Sequence, residues 1–229
     1  MRNIYRVFPL FVAFGFILFV SGDVQGQDVI NTILKRMDDH NKSLTSLRAN
    51  VEMVKFNSQI NETDTLNGTV AYLPQRNRDP FVRIDWRNPD ESMAIVNKEY
   101  IIFRPRLRQA FTGNVDKARR GNPRAGSALQ FLNMSRAQLR QNFSVIYLGE
   151  ATIKGGVRTW HLKMTPKSAS GYKHAEVWVD SDGMPVQTKI VESNDDTTTI
   201  LLSGIRKNVT INGSEFKINL PRGTKIVKA

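Results

Sequence analysis

The chain has no cysteine. That excludes disulfides, thiolate nucleophiles and thiolate metal sites, and it excludes lipid attachment at an N-terminal cysteine. Histidine is almost as scarce: His40, His161 and His174 are the only three, and they are scattered. His174 and Glu176 alternate onto one face of a strand-like run, but no third convincing ligand stands with them, so no metal is expected. A G-x-S-x-G elbow, a P-loop and a dinucleotide fingerprint are all missing. The two glycines of "TIKGGVR" lie between strand-like runs and read as a hairpin turn rather than a phosphate cradle. The acid pairs Asp38-Asp39, Asp90-Glu91 and Asp195-Asp196 fall at element ends or in turns, where carboxylates cap and solvate. The residues therefore give no support for an enzyme, and no cofactor is expected.

Long apolar runs are confined to one place. Residues 7–20, "VFPLFVAFGFILFV", follow Arg2 and Arg6 and precede the small residues of "SGDVQGQ". The run is short for a membrane span. It reads as a Sec-type signal peptide cleaved near Gly22 or Gly26, which makes 1–26 the leader and 27–229 the working domain. An uncleaved anchor is the alternative. Export without a lipidated cysteine points to a soluble protein beyond the inner membrane, in the periplasm.

Acidic residues are outnumbered. The formal charge is +12, from 33 Lys and Arg against 21 Asp and Glu. Basic residues crowd the middle of the chain: Arg104, Arg106, Arg108, Lys117, Arg119, Arg120, Arg124, Arg136 and Arg140. No aromatic-basic RNA module accompanies them, and export argues against nucleic acid. An anionic lipid surface suits the compartment better; a solvated basic loop is the plainer alternative.

What is present is a β-rich globular domain. An apolar fraction of 40% and a charged fraction of 24% over 229 residues allow one domain with a sizeable core. "QDVINTILKRMDDHNKSL" places Ile30, Ile33, Leu34 and Met37 at helical spacing behind Asp28 as a plausible N-cap. The period then changes to two. Leu47, Ala49, Val51 and Met53 alternate with polar residues; Val70 and Tyr72 share a face, as do Val82, Ile84 and Trp86. "IDWRNPDES" breaks at Asn88-Pro89 before "MAIVN" and "EYIIFRP" resume. Residues 114–126 are basic and turn-prone. A helix is expected over 127–143, with Ser127 as N-cap and Leu129, Leu132, Arg136, Leu139 and Phe143 near one face. Strands return in "SVIYLGEATI", "RTWHLKMTP", "HAEVWV", "PVQTKIVES", "TTTILLSGI" and "SEFKINLP", and Asp182-Gly183 marks a hairpin. That is about ten strands and two main helices, and a sheet so large closes or curls around something. Asn-x-Ser/Thr triplets at Asn41, Asn61, Asn67, Asn133, Asn142, Asn208 and Asn212 read as turn chemistry rather than glycosylation.

Five strings in this order resemble the LolA-type outer-membrane lipoprotein carriers. They are Gly68 to Trp86 with Pro80 and Phe81, then "NPDES" with the two strands after it, "HLKMTPK", "VWVDSDGMPVQTKI", and "EFKINLPRGTKIV". The resemblance spans nearly all of the chain after the leader. It implies a mainly β fold with helices: an incomplete, strongly bent antiparallel β-barrel covered by a helical lid made of 28–44 and 127–143. It implies a lipid-binding cavity lined by Val70, Tyr72, Val82, Ile84, Trp86, Ile101, Phe103, Leu129, Leu132 and Leu139. Met93, Met134 and Met164 would suit its shape-tolerant wall. The implied work is carriage of acylated lipoprotein, as a monomer, from an inner-membrane exporter to an outer-membrane acceptor. A sensor or interaction domain of the same fold is the alternative. Two features depart from the family: the basic "DKARRGNPRAG" replaces the usual segment before the lid helix, and the usual Arg of the lid lock is out of register. An Arg usually precedes the Pro of the second strand's exit loop and helps hold the lid closed. Here Leu73 precedes Pro74 and Asp79 precedes Pro80, with Arg76 and Arg78 nearby and Arg136 on the lid helix.

Overall fold

A computed structural model describes residues 23–75, 78–115 and 134–228. Among them twelve strands form one sheet in the order β12-β6-β5-β4-β3-β2-β1-β11-β10-β9-β8-β7. The strands are β1 (Leu47–Asn57), β2 (Glu62–Gln75), β3 (Arg78–Arg87), β4 (Asp90–Val96), β5 (Glu99–Arg104), β6 (Gln109–Asn114), β7 (Phe143–Ile153), β8 (Val157–Pro166), β9 (Tyr172–Val179), β10 (Pro185–Glu192), β11 (Thr197–Lys207) and β12 (Lys225–Lys228). Two meanders, β1–β6 and β7–β11, are joined where β1 pairs antiparallel with β11. Only β12 runs parallel to its neighbour, β6. The sheet does not close, so the architecture is an incomplete, curved β-barrel with helices over one face.

Local chemistry fixes the hairpins. Asn97 and Lys98, both at positive φ (50° and 68°), turn β4 into β5 in two residues. Gly155 and Gly156, at φ 88° and 76°, turn β7 into β8, so "KGG" is a turn, as its sequence suggests. Between β9 and β10 the Asp180 carboxylate accepts from the Asp182 and Met184 amides at 3.0 and 2.8 Å. Asn61 and Asn208 sit at φ 52° and 56°, and Asn212 caps a 3₁₀ turn, Gly213–Phe216. Turn work thus accounts for three of the asparagine triplets.

Helix α1 (Asp23–Ser43) begins five residues before the expected Asp28. It buries Ile30, Ile33, Leu34 and Met37 in one cluster with the inward residues of the sheet. Helix α2 (Arg136–Asn142) is shorter than the expected 127–143 helix even within the described residues: Met134 and Ser135 precede it as coil, and Phe143 begins β7. Its N-cap is Ser135, not Ser127: Ser135 and Gln138 form a reciprocal capping box, the S-x-x-Q signature. Leu139 is its one buried residue. "SEFKINLP" is not a strand. Its first half is the capped 3₁₀ turn and the rest is extended coil; the closing strand is β12, and β6 is a further strand the sequence reading passed over.

Candidate functional site

In an antiparallel pair, residues directly opposite each other point to the same face. Register therefore assigns each side chain to a face. Tyr72 pairs with Leu47 and Val82, Val70 with Ala49 and Ile84, and Gly68 with Val51 and Trp86. Ile84 pairs with Met93 and Val82 with Ile95. These residues lie on the face that α1 covers. From the other meander Leu202, Ile200, Val186, Ile190, Val177, Ala175, Leu162 and Met164 join the same cluster. The result is one continuous apolar surface across both meanders, with α1 laid on it and Leu139 of α2 buried in the same cluster.

Gly68 is required where it stands. A Cβ there would come 2.4 Å from the Asp85 carbonyl oxygen and 3.0 Å from Trp86 Cε3. The missing side chain lets the Trp86 indole lie across β2. Tyr72 is 1% exposed, and burial pushes its phenol well above the usual range.

The structure brings together Val70, Tyr72, Val82, Ile84, Trp86 and Leu139, and Met164 with them; Met93 and Met134 pack against their edge. It does not bring Ile101 and Phe103 there. Met93 pairs with Ile102, and Ile95 with Tyr100, so Tyr100 and Ile102 share the α1 face. Ile101 and Phe103 point the other way, into a small separate cluster with Ala94, Ala110, Ile218 and Leu220. The cause is register: strand β5 is apolar on both faces, and composition cannot choose its parity. Leu129, Leu132 and Arg76 lie outside the described residues, as does the side chain of Arg78. Arg136 starts α2, and its backbone amide donates to the Asp38 carboxylate at 3.2 Å. The expected lid helix over 28–44 does lie on the site, but Ile30, Ile33, Leu34 and Met37 were not among the expected lining residues; their helical spacing was the available signal.

Polar contacts hold the helices at their edges; Lys167 donates from Nζ to the Arg140 carbonyl at 2.7 Å and from its amide to the Asn142 carbonyl at 2.9 Å. Asp38 also accepts from Lys42 Nζ at 2.6 Å, and that bond first, with the Arg136 amide, holds its carboxyl below the usual range. At the other side of α1, Arg36 Nη1 donates to the Ser181 carbonyl at 2.9 Å, and its guanidinium lies 5.1 Å over the Trp160 ring. Gly183, at φ 88°, lets the β9–β10 hairpin tip press on α1: a Cβ there would fall 2.3 Å from the Arg36 carbonyl oxygen. His40, near the end of α1, is 8% exposed, and its Nε2 has no hydrogen-bond partner among the described residues. Burial first, then Lys207, pushes its pKa below the ordinary histidine value, while Asp180 and Asp182 oppose this.

The outer face is different in kind. Phe216 packs edge-on against Phe81 at 5.7 Å, and the 3₁₀ turn that carries it sits against β3 and β4. Arg104, one of the crowded arginines, pairs with Glu91 at 2.6 Å and lies over Phe111; residues 117–124 lie outside the described residues. His161 bonds Glu176 at 2.7 Å and stacks on Trp178, with His174 at 3.6 Å from the same carboxylate. Among the described residues no group of three or more His, Cys, Asp or Glu is arranged to hold a metal.

Among curated proteins, none matches the chain. Solved structures do. An uncharacterized conserved protein from Thermus thermophilus is 14% identical with a TM-score of 0.56, covering 88% of this chain and 99% of its own. MucB is 12% identical with a TM-score of 0.54; the match covers 84% of this chain and 63% of MucB. A LolA superfamily protein from Nitrosomonas europaea is 13% identical with a TM-score of 0.40, covering 82% and 97%. The first two likenesses speak for the fold. The family described as "Outer membrane lipoprotein carrier protein LolA" matches residues 42–219, from the end of α1 through the 3₁₀ turn, and the chain belongs to that family.

Proposed function

We propose that the protein is an exported, periplasmic carrier that takes the acyl chains of lipoproteins on its helix-covered sheet face and ferries them from the inner to the outer membrane. The supporting observation is the cover itself: a continuous apolar surface across both meanders, shielded by a helix held at its edges by few polar bonds. A carrier needs an apolar surface that something can leave and something else can replace.

The magnitudes agree. Ile30, Ile33, Leu34 and Met37 are together worth roughly 6–12 kcal/mol of burial, at about 1.5–3 kcal/mol each. A chain of about sixteen carbons costs on the order of 12 kcal/mol to place in water, at about 0.8 kcal/mol per methylene. Exchanging helix side chains for an acyl chain is therefore close to neutral, which makes loading and unloading reversible. The same figure rules out free diffusion of the cargo, so an inner-membrane exporter must hand it over and an outer-membrane acceptor must take it. Binding of this kind calls for no catalysis, and the reading is of a carrier rather than an enzyme. Residues 1–26 act in it as the export signal.

Protein recovered from its native envelope should carry solvent-extractable acyl chains, detectable by mass spectrometry. It should also move a labelled lipoprotein between vesicles. A protein that arrives lipid-free and moves none is the sensor or interaction domain of the same fold.

A further inference from the structure

The face opposite α1 carries a recess of about 360 Å³ at the junction of the two meanders. It opens at a break in the β1–β11 ladder. Arg48 pairs with Arg206 and Asn50 with Ser203, so β11 has two residues, Gly204 and Ile205, against Ala49 alone. Gly204 sits at φ 56°, and a Cβ there would come 2.9 Å from Asn50 Nδ2. The bulge and the glycine together make the hollow.

Arg48 and Arg206 are directly opposed across the two strands, and like charges in that position are destabilising. A third guanidinium, Arg83, lines the same recess. Two carboxylates face them. Glu215 pairs with Arg48, and that bond first holds its carboxyl below the usual range. Asp85 takes Arg83 in a fork, at 2.8 Å from Nε and 3.0 Å from Nη2, and also accepts from Ser92 at 2.6 Å. Arg83 Nη1 is spent on the Glu215 carbonyl at 2.7 Å. Arg206 is left. It is exposed and has no ion pair among the described residues. Three guanidinium groups against two committed carboxylates leave one positive charge on a residue that lines an open hollow, with Thr69 and Asn50 lining it too.

We infer that this recess is an oxyanion site that binds a phosphate group, with Arg206 as its principal donor and Arg48, Thr69 and Asn50 beside it. Phosphate fits because its oxygens accept several hydrogen bonds at once and a guanidinium can meet two of them in parallel. The hollow has room for a substituent on that phosphate. The site is separate from acyl carriage, since the sheet lies between them. The phosphate comes either from a headgroup on a membrane surface or from a soluble phosphate compound.

Calorimetric titration with inorganic phosphate, in a chloride buffer, tests the site on the purified protein. Sedimentation with phosphatidylcholine vesicles, with and without phosphatidylglycerol, tests the source. Arg206→Glu should weaken binding about tenfold or more. Arg206→Lys should weaken it less, because charge is kept and the fork is lost. The control is Arg158→Glu, an exposed arginine on β8 outside the recess, which makes the same change in net charge. Circular dichroism checks the fold, and Arg206→Gln replaces Arg206→Glu if the latter does not fold. Arg206-dependent binding to phosphatidylglycerol vesicles supports a headgroup. Arg206-dependent binding of inorganic phosphate alone supports a soluble compound. The inference is overturned if the native protein binds neither, or if Arg158→Glu lowers binding as much as Arg206→Glu does.

Discussion

Single residues decide how tightly the helix cover seats. His40 is buried with one ring nitrogen unpartnered, so its neutral form is favoured in the folded state. Its folded pKa lies below the unfolded value of 6.5. Below pH 6.5 the unfolded chain takes a proton that the folded chain refuses, so stability is full above that pH and falls as pH drops toward the folded pKa. His174 is shifted the same way, by burial and then Lys163. The melting temperature should therefore fall between pH 7.5 and pH 5.5, across the ordinary histidine value. His40→Asn should shrink that fall, with His174→Asn accounting for the remainder; an unchanged fall in the double variant would refute the assignment. Gly68→Ala makes a second residue-scale test. It forces a methyl onto the Asp85 carbonyl and Trp86, and should cost about 1–3 kcal/mol in a denaturant titration. Legibility ended at this scale. Gly68 lies in the middle of β2, and that an indole lies on it requires the β2–β3 register.

At the scale of elements, α1 and α2 act as one cover. They meet where Asp38 accepts the first amide of α2. Asp38→Asn keeps the shape and weakens that bond, by on the order of 1 kcal/mol for a charge at a helix start. Amide exchange in both helices should speed up while the sheet stays protected. The folded pKa of Asp38 is depressed, so its contribution is present above pH 3.8 and is lost as pH falls through the folded value. Leu139→Glu should open the cover further, since that side chain is wholly buried. It should weaken lipid retention and leave strand amides protected; loss of the sheet signal would mean that α2 is a fixed part of the core. The helices and most strands were legible because each keeps one period over several residues. Strand β5 was not: Tyr100, Ile101, Ile102 and Phe103 are apolar on both faces, and only pairing with Met93 and Ile95 decides which pair turns toward α1. The "SEFKINLP" strand failed for a different reason. Asn212 and Glu215 form a capping box that captures the backbone before any strand can.

The whole molecule is an open sheet with two unlike faces, one apolar and roofed by α1, the other mixed, with a polar recess beside a small apolar cluster that the chain after β11 helps to cover. The order of strings pointed to the family before any contact was known, because turns and strand lengths are written locally. The outer recess was not legible at all. Arg48, Arg83 and Arg206 are far apart in sequence and meet only through the β1–β11, β1–β2 and β2–β3 pairings. The central claim is that α1 leaves the apolar face when an acyl chain arrives. The absence of native cysteine allows a direct measurement. Arg36→Cys with Ser181→Cys, joined by a short bis-maleimide that adds one thiol at each end, ties α1 to the β9–β10 hairpin it already touches. Binding of a fluorescent long-chain fatty acid to the delipidated protein is then followed with and without the tie. The untied protein should bind the probe saturably, release it to unlabelled fatty acid, and lose that binding when tied. Equal binding in the tied and untied forms, or no displaceable binding in either, would contradict the claim.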